Sequence, residues 1–523
     1  MNVGSLLERH ARLRHDRIAL VCGDERLTFG EHAARVYRLA NVLTDLGLQK
    51  GDKLAIILPN CVELLECYRA AAMLGVVAVP LSTLLRGAAL ETLLGDADTR
   101  AVIAAPEMAA ALSGARPTLS EIPHANYLMT GREVPAGYAS YDRCTRAASA
   151  VAPPPVQIDG SDIYNIVYSS GTTGEPKGIV HTHDIRAAYG TLFAATFRFT
   201  PESVVMHAGS LVFNGAFVTL MPAWLLGCRY VLQQRFDPIE FIETIAREQV
   251  THVMMVPSQI VAVMTAPNFS AEKLQSLRML CSVGAPWLRE HKEPWLDVIP
   301  DALYELYGLT EGFITVLDRD DFRMHLDSVG APIAFSEMRI IDDRGTAVRT
   351  GEIGEIIGRS ALLMPGYYKR PDLTAQAIVD GWLHTGDVGF ADAEGFLHLV
   401  DRKKDMIISG GVNVFPKDIE EVAVQHPEVR EVAVFGVPHA KWGEAPVAAV
   451  ILKRENSANA DELRAWINAR VTARYQQLCR VVIVSDFPRS SAGKTLKRIL
   501  RAEFAASVHA SSVTDYHAQQ GTS

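Results

Sequence analysis

A run of small and hydroxyl-bearing residues, YSSGTTGEPKG, occupies positions 168–178 directly after the apolar segment 163–167. Glycines let the main chain come close to a ligand, and backbone amides and hydroxyls can surround phosphate oxygens. A Walker loop is excluded, because Pro176 stands where that pattern needs a glycine before its lysine. We therefore predict a polyphosphate-binding loop that consists of Ser169, Ser170, Gly171, Thr172, Thr173, Gly174 and Lys177.

Five further short segments follow this loop: SVGAP at 282–286, YELYGLTEG at 304–312, HTGDVG at 384–389, DRKKDMIISGGVNVFPKDIE at 401–420 and PRSSAGKTLKR at 488–498. In this order they resemble the adenylate-forming superfamily, which contains acyl-CoA synthetases, firefly-type luciferases and the adenylation domains of peptide synthetases. The resemblance extends from residue 27 to residue 498. It implies an enzyme that activates a carboxylate with ATP.

The resemblance assigns the nucleoside to four of these segments. Tyr307 is expected to stack on the purine, because an aromatic ring offers it an apolar face. Asp387 is expected to accept hydrogen bonds from the two ribose hydroxyls, since a charged acceptor binds a diol strongly. The resemblance also places the backbone of Gly284, Ala285 and Pro286 on the other face of the purine. It places the cation of Arg402 at the ribose.

The same resemblance names residues for the reaction itself. Thr310 and Glu311 are expected to meet a phosphate and its Mg²⁺, which prefers hard oxygen ligands. Lys494 is expected to neutralise the negative charge that develops on the bridging oxygens and on the departing pyrophosphate. Lys404 is the expected hinge of a mobile small domain, and Gly410 is expected to line the coenzyme A tunnel.

The resemblance places the acyl pocket near segment 209–224, around Gly284 and at the residues that follow Gly312, and it names Phe213, Asn214, Phe217 and Phe313 as lining residues. Segments 209–224 and 312–318 contain no lysine or arginine. Because a second carboxylate would need a cation, the expected substrate is an apolar monocarboxylic acid, either fatty or aromatic. Many relatives have Pro-Leu-Phe-His in the first segment, whereas this chain has SLVFN at 210–214.

Strand-length apolar runs alternate with segments of helical period over most of the chain. Residues 52–60 predict a strand, residues 61–75 a helix that ends at a glycine, and residues 76–81 the next strand. This order predicts layered α/β sheets with largely parallel strands. From about residue 330 the pattern changes to short strands and turns, in which DDRG at 342–345 indicates a hairpin.

The domain organisation follows from these patterns and from the length. A chain of 523 residues exceeds what one hydrophobic core usually organises. We expect a large amino-terminal AMP-binding domain at 1–401, built of layered α/β sheets and a small β unit. A small mobile α+β domain is expected at 402–523, after the hinge.

Composition excludes several classes of protein. The formal net charge of −9 argues against a general nucleic-acid binder. The seven cysteines lack the paired spacing of a zinc or redox site, which indicates a reduced, cytoplasmic compartment.

Residues 203–228 carry no Asp, Glu, Lys or Arg. Polar residues, glycines and a proline interrupt this stretch, so we expect a buried strand and helix rather than a membrane span.

Several activities are compatible with the resemblance. A coenzyme A ligase fits best, because the sequence ends at Ser523 without a carrier domain and 408–416 resembles the loop that lines the pantetheine tunnel. Its substrates would be ATP with Mg²⁺, coenzyme A and a small carboxylic acid. The alternatives are a stand-alone enzyme that loads a separate carrier protein, and oxygenation of an acyl-adenylate as in luciferases. A protein that only binds nucleotide would be expected to lose Lys494 or Glu311, and both are present. A homodimer is left open.

Overall fold

The computed structural model describes residues 2–169, 177–403, 405–409, 412–439, 442–454, 457–471, 473–489 and 495–504. The chain divides into two compact units. The first unit comprises Met1–Met338 and Gly358–Leu383, and the second comprises Arg339–Ile357 and His384–Ser523.

The strands of the described chain are numbered in chain order: β1 (Ile18–Cys22), β2 (Glu25–Thr28), β3 (Lys53–Ile57), β4 (Val77–Pro80), β5 (Thr99–Ala104), β6 (Tyr127–Met129), β7 (Ala139–Ser140), β8 (Ile163–Ser169), β9 (Lys177–Thr182), β10 (Val204–His207), β11 (Arg229–Leu232), β12 (His252–Met255), β13 (Met279–Val283), β14 (Leu303–Gly308), β15 (Ile314–Leu317), β16 (Ala331–Pro332), β17 (Ser336–Ile341), β18 (Gly354–Ser360), β19 (Ile378–Val379), β20 (Trp382–Ala391), β21 (Leu397–Arg402), β22 (Ile407–Ser409), β23 (Val412–Val414), β24 (Val429–His439), β25 (Gly443–Leu452) and β26 (Arg480–Ile483).

The α-helices are numbered in the same way: α1 (Ser5–Leu13), α2 (Phe29–Asp45), α3 (Val62–Leu74), α4 (Gly87–Asp96), α5 (Ala109–Ala115), α6 (Tyr141–Ala147), α7 (His183–Thr196), α8 (Gly215–Leu226), α9 (Pro238–Glu248), α10 (Pro257–Met264), α11 (Ala271–Leu274), α12 (Arg289–Lys292), α13 (Pro371–Ala377), α14 (Pro416–Ala423) and α15 (Ala460–Asn468).

Two sheets with mostly parallel strands organise the first unit. One has the order β16-β15-β14-β13-β12-β10-β11-β1-β2, and it is parallel from β14 to β1 with antiparallel strands at both ends. The other has the order β7-β6-β5-β3-β4-β8-β9, and only β8 and β9 pair antiparallel. The predicted alternation of strand and helix therefore produces the expected parallel sheets.

Both faces of the second of these sheets are covered, because successive strand residues point to opposite sides. Leu54 of β3 belongs to the largest hydrophobic cluster, which also contains residues of the other sheet and of α2, α3, α7 and α8. Its neighbour Ala55 belongs to a second cluster, with residues of α4 and α5. Helix α3 is buried along most of its length within the first cluster, and Gly75 ends it with a φ of +68°.

The uncharged stretch 203–228 forms β10 and α8, as the sequence predicted. Helix α8 is buried from Ala216 to Trp224, although Pro222 lies inside it. Among the helices of the described residues, none combines the length and the apolar character needed to span a membrane.

The second unit begins with the predicted hairpin turn. The carboxylate of Asp342 accepts hydrogen bonds from the backbone amides of Arg344 (2.9 Å) and Thr346 (2.8 Å). Gly345 adopts a φ of +78°, which favours glycine at this position of the turn.

The carboxyl-terminal part of the second unit has a sheet in the order β23-β22-β25-β24, with β26 parallel to β25. Ile419 of α14 and Leu463 of α15 share one hydrophobic cluster with Val434 and Val450 of this sheet. This α+β arrangement agrees with the small domain that the sequence predicted.

A buried ion pair joins the end of α12 to β14 in the first unit. Lys292 Nζ lies 2.5 Å from Glu305 Oε2, and both side chains are almost completely buried. The ammonium also donates to the carbonyl oxygen of Leu326 (2.5 Å), and the Glu305 carboxylate accepts from the backbone amide of Trp287 (3.4 Å). Because Glu305 belongs to β14, this pair fixes the segment that follows β13 next to β14.

We expect Lys292→Met to lower the free energy of unfolding by about 3–5 kcal/mol, because it leaves the Glu305 carboxylate buried without a counter-ion. The double variant Lys292→Met/Glu305→Leu should recover most of this loss. Lys273→Met is the matched control, since Lys273 pairs with Glu243 at 2.7 Å on the surface, where such pairs contribute about 0.2–1 kcal/mol. Urea unfolding of the four proteins measures the effect, and equal losses for the two single variants would contradict it.

Candidate active site

Several predicted nucleotide-binding residues lie at the carboxyl ends of two parallel strands. Val283, the last residue of β13, pairs with Leu306 of the parallel strand β14. The next residues of the two segments, Gly284 and Tyr307, are therefore neighbours. Gly284 has a φ of +87°, and residues 284–286 are exposed, while Tyr307 is half-buried. Ligands of open α/β sheets bind at this edge. The backbone and the ring that were predicted to enclose a purine are therefore neighbours.

Thr310 and Glu311 occupy the turn of the hairpin formed by β14 and β15. Gly308 pairs with Ile314 at the last rung, and the amide of Leu309 donates to the carbonyl oxygen of Phe313 at 3.0 Å. Both side chains are partly exposed. The turn therefore presents a hydroxyl and a carboxylate at the same edge of the sheet as Tyr307.

Gly312 packs this turn against the backbone of residues 360–364. Its φ is +116°, and a Cβ atom at this position would lie 2.1 Å from the carbonyl oxygen of Leu362. The hydroxyl of Ser360 donates to the Gly312 carbonyl oxygen (2.5 Å), and the amide of Met364 donates to that of Glu311 (2.8 Å). Only glycine fits this position. Because Glu311 directly precedes Gly312, the contact fixes the backbone position from which the Glu311 side chain extends.

Tyr367 connects the carboxylate of Glu311 with Lys177. The Tyr367 hydroxyl donates to Glu311 Oε1 at 2.9 Å, and Lys177 Nζ lies 5.0 Å from the centre of the tyrosine ring. The chain around Tyr367 extends the sheet at β9, because the Tyr368 amide donates to the Gly178 carbonyl oxygen at 2.7 Å. Tyr367 was not predicted from the sequence, in which its only distinguishing feature is the pair of tyrosines that follows Pro-Gly at 365–366.

His181 attaches the Thr310 turn to β9. Its Nε2–H donates to the carbonyl oxygen of Thr310 at 2.9 Å, and the ring is fully buried. Burial lowers the pKa of His181 well below its usual range, and the positive charge of Arg186 lowers it further. The imidazole is therefore neutral at pH 7, and it holds the turn as a hydrogen-bond donor. Sequence reasoning also missed this residue.

The predicted phosphate loop is described at its two ends only. Ser169, at the end of β8, pairs with Lys177, at the start of β9. The other predicted loop residues, Ser170, Gly171, Thr172, Thr173 and Gly174, lie outside the described residues, as do Lys404, Gly410 and Lys494. The roles predicted for them stay predictions.

Asp387 and Arg402 pair in the second unit, where they lie opposite each other on β20 and β21. Arg402 Nε lies 3.2 Å from Asp387 Oδ1. The Asp387 amide donates to the hydroxyl of Thr385 (3.0 Å), which in turn donates to the carbonyl oxygen of Ile356 (2.6 Å). The two residues predicted at the ribose are therefore direct neighbours, and Asp387 is mostly buried whereas Arg402 is exposed.

Two of the four predicted acyl-pocket residues contact the same buried cation. Arg186 Nη2 donates to Asn214 Oδ1 at 2.9 Å, and its Cζ lies 4.0 Å from the centre of the Phe217 ring. Phe213 packs against the largest hydrophobic cluster, and Phe313 packs on the backbone of Gly358. The two predicted pocket segments contain no cation of their own, whereas Arg186 of α7 contacts Asn214 and Phe217 from outside them.

Comparison with known proteins identifies the family. The family model of the AMP-binding enzyme matches residues 7–368, and that of the AMP-binding enzyme C-terminal domain matches residues 418–494. Feruloyl-CoA synthase of Amycolatopsis sp is 33% identical over 96% of this chain and 99% of its own. Long-chain-fatty-acid–CoA ligase FadD13 of Mycobacterium tuberculosis is 32% identical over 97% and 99%. The crystal structure of ATP-bound MatB from Rhodopseudomonas palustris superposes with a TM-score of 0.88 at 29% identity, covering 96% of this chain and 98% of that one.

The chain belongs to the AMP-binding enzyme family, in the branch of the acyl-CoA ligases. It is an AMP-forming acid–thiol ligase with a large amino-terminal α/β part and a smaller carboxyl-terminal part. The resemblance, the fold class and the class of enzyme predicted from the sequence are confirmed.

We expect Tyr367→Phe to lower kcat/KM for ATP in pyrophosphate exchange by about tenfold or more, because a hydrogen bond to a charged group contributes about 1.5–3 kcal/mol. Tyr368→Phe is the control, since the Tyr368 hydroxyl donates to Asp98 at 2.8 Å in an exposed position. That variant should stay close to the original rate. Equal rates for the two variants would show that Tyr367 does not position Glu311.

Proposed function

We propose that the enzyme adenylates an apolar monocarboxylic acid, fatty or aromatic, and then transfers the acyl group to coenzyme A. The observation that carries this proposal is Tyr367, whose hydroxyl donates to the Glu311 carboxylate and whose ring centre lies 5.0 Å from Lys177 Nζ. The turn that carries Glu311 lies at the sheet edge that also holds Tyr307 and Gly284. Relatives that are named for feruloyl-CoA and for long-chain fatty acids support an acid of either kind.

In the first half-reaction an oxygen of the substrate carboxylate attacks the α-phosphorus of ATP. The bond from this phosphorus to the bridging oxygen breaks, and pyrophosphate leaves with the electron pair. Residues need only position the groups and offset negative charge. We assign the phosphates to the loop at 169–174, Lys177 and Thr310, and the pyrophosphate charge to Lys494.

Glu311 is the residue that fits Mg²⁺. A carboxylate is the hard oxygen ligand that this ion prefers, and Tyr367 holds one of its oxygens, which leaves the other for the metal. The described residues contain no group of three or more His, Cys, Asp or Glu that could form a site without further ligands. A single carboxylate with phosphate oxygens and water is a common Mg²⁺ site, and the ion would offset phosphate charge there.

In the second half-reaction the thiol of coenzyme A attacks the acyl carbon of the adenylate, and AMP leaves. We propose that a small domain at 402–523 turns about Lys404 between the two steps, which withdraws Lys494 and brings Gly410 to the thiol. Asp387 and Arg402 are assigned to the ribose of the nucleotide. The adjacency of these two side chains supports that assignment.

Coenzyme A is favoured over a carrier protein because the named relatives are coenzyme A ligases or synthases. We place the enzyme in the cytoplasm, which its seven free cysteines support. A homodimer is compatible with these assignments, because they use residues of a single copy of the chain.

The function is tested by a screen of carboxylic acids for AMP release with and without coenzyme A. Fatty or aromatic monocarboxylates should give AMP that depends on both the acid and coenzyme A. Release that requires an added carrier protein instead would favour the second candidate. If no acid supports pyrophosphate exchange, the adenylation assignment is wrong.

We expect Lys494→Ala to slow adenylation by about two to four orders of magnitude, which corresponds to about 3–5 kcal/mol of transition-state stabilisation. Thioester formation from presynthesised acyl-adenylate should be nearly unchanged, because no pyrophosphate leaves in that step. Arg498→Ala is the control, since Arg498 is an exposed cation close by in the chain. Equal damage to both half-reactions would contradict the role of Lys494.

A further inference from the structure

Arg186 is a fully buried guanidinium on the first turn of α7. Its Nε donates to Asn165 Oδ1 at 3.0 Å and its Nη2 to Asn214 Oδ1 at 2.9 Å. The ring of Phe217 covers it, with 4.0 Å between Cζ and the ring centre, and the ring centre of Tyr189 lies at 4.8 Å. Its hydrogen-bond acceptors are thus neutral amides, and its other neighbours are aromatic.

The charge of Arg186 has no counter-ion within the described part of the chain. Burial lowers the pKa of Arg186 to about 10, while the neighbouring hydroxyls of Tyr189, Tyr164 and Tyr68 raise it. The guanidinium is therefore still protonated at pH 7. A buried charge that lacks an opposite charge is costly, so proteins usually pair it. Lys292, which is equally buried, has Glu305 for this purpose.

Two hydrogen-bond donors, one on each of these two bonded side chains, also lack acceptors among the described residues. They are Nη1 of Arg186 and Nδ2 of Asn165, and both atoms are buried. The amide of Asn165 is oriented by Arg186, because its Oδ1 accepts from the guanidinium. Its Nδ2 must then be the donor that has no partner. Buried donors of this kind call for an acceptor atom, which the described protein residues do not supply.

The position of these donors indicates what supplies the acceptor. Arg186 directly contacts Asn214 and Phe217, which we assign to the acyl pocket. We propose that Arg186 and Asn165 form an oxygen-binding subsite of that pocket, which selects carboxylic acids with a second oxygen acceptor away from the reacting carboxylate. This inference rests on the proposed function and changes one part of its substrate class, because the acid carries a second oxygen and is not wholly apolar. The acceptor is a carbonyl, hydroxyl or ether oxygen, or a second carboxylate.

The opposite assignment, in which Arg186 holds the reacting carboxylate itself, gives a different expectation. A guanidinium on that group would assist every acid equally, whether or not the acid carries a second oxygen. The subsite that we propose distinguishes acids by their second oxygen alone. Matched pairs of acids therefore separate the two assignments.

The test uses pairs of acids on one carbon skeleton: cinnamate with 4-hydroxycinnamate, and octanoate with 7-oxooctanoate and octanedioate. Pyrophosphate exchange gives kcat and KM for each acid with the complete enzyme. In at least one pair, an acid with the second oxygen should have a kcat/KM at least tenfold above that of the plain acid. The keto acid and the diacid show whether a neutral or a charged oxygen binds better.

Arg186→Met should abolish this preference, because it should raise KM for the oxygen-bearing acid more than KM for the plain acid. Arg186→Lys should restore part of the preference, because it keeps the charge but not the fork of donors. Lys292→Met is the control. Lys292 is also a buried cation, and its charge is paired with Glu305 at 2.5 Å, outside segments 209–224 and 312–318 of the predicted acyl pocket. Its replacement should lower stability but leave acid preference unchanged.

Thermal unfolding of the unmodified enzyme gives a second measurement, which does not depend on any variant folding. The oxygen-bearing acid of the preferred pair should raise the melting temperature more than the plain acid at equal concentration. The inference is wrong if the plain and oxygen-bearing acids are equivalent in both assays. It is also wrong if Arg186→Met slows all acids alike, or if Lys292→Met changes the preference as much. In each of these cases acids are still activated, so the proposed function stands. If no acid supports pyrophosphate exchange, the proposed function itself is refuted.

Discussion

The contact of Gly312 with the backbone of Leu362 is the constraint on which the candidate site depends. No side chain separates the two segments, so the turn that carries Thr310 and Glu311 lies directly on residues 360–364. This close approach lets the following segment reach Glu311 through Tyr367. A β-carbon at position 312 would push the carboxylate away from the tyrosine that orients it.

Strand β9 and the start of α7 supply supporting contacts from one continuous stretch, 177–186. Lys177 lies over the ring of Tyr367, His181 donates to the Thr310 carbonyl oxygen, and Arg186 donates to Asn214. Alternation along a strand and the turn into a helix direct these side chains to different neighbours. One short segment therefore connects the phosphate loop, the hairpin turn and the residues assigned to the acyl pocket.

Two buried cations of the first unit illustrate different uses of charge. Lys292 has a carboxylate partner, and their ion pair holds the segment after β13 beside β14. Arg186 has neutral partners and, within the described part of the chain, a donor without an acceptor. The first arrangement pairs two opposite charges and contributes to structure. The second leaves a charge and a donor for the substrate oxygen that we propose.

The sequence alone determined the family, the alternation of strands and helices, and the order of the site segments. These depend on local patterns: a glycine-rich loop after a strand, an aromatic residue before Thr310 and Glu311, and a glycine that ends α3. Each pattern requires only that neighbouring residues have the right types, so it is visible without a structure.

Only the tertiary structure decided which distant side chains support the site. Tyr367 is 56 residues from Glu311, and His181 is 129 residues from Thr310. Arg186 is 28 residues from Asn214, on a different helix from the predicted pocket segments. Such contacts depend on how β9, α7 and the hairpin pack together, and no local periodicity specifies a partner at that separation. The apparent lack of a cation near the acyl pocket arose for the same reason, because a pocket is lined by every segment that packs around it.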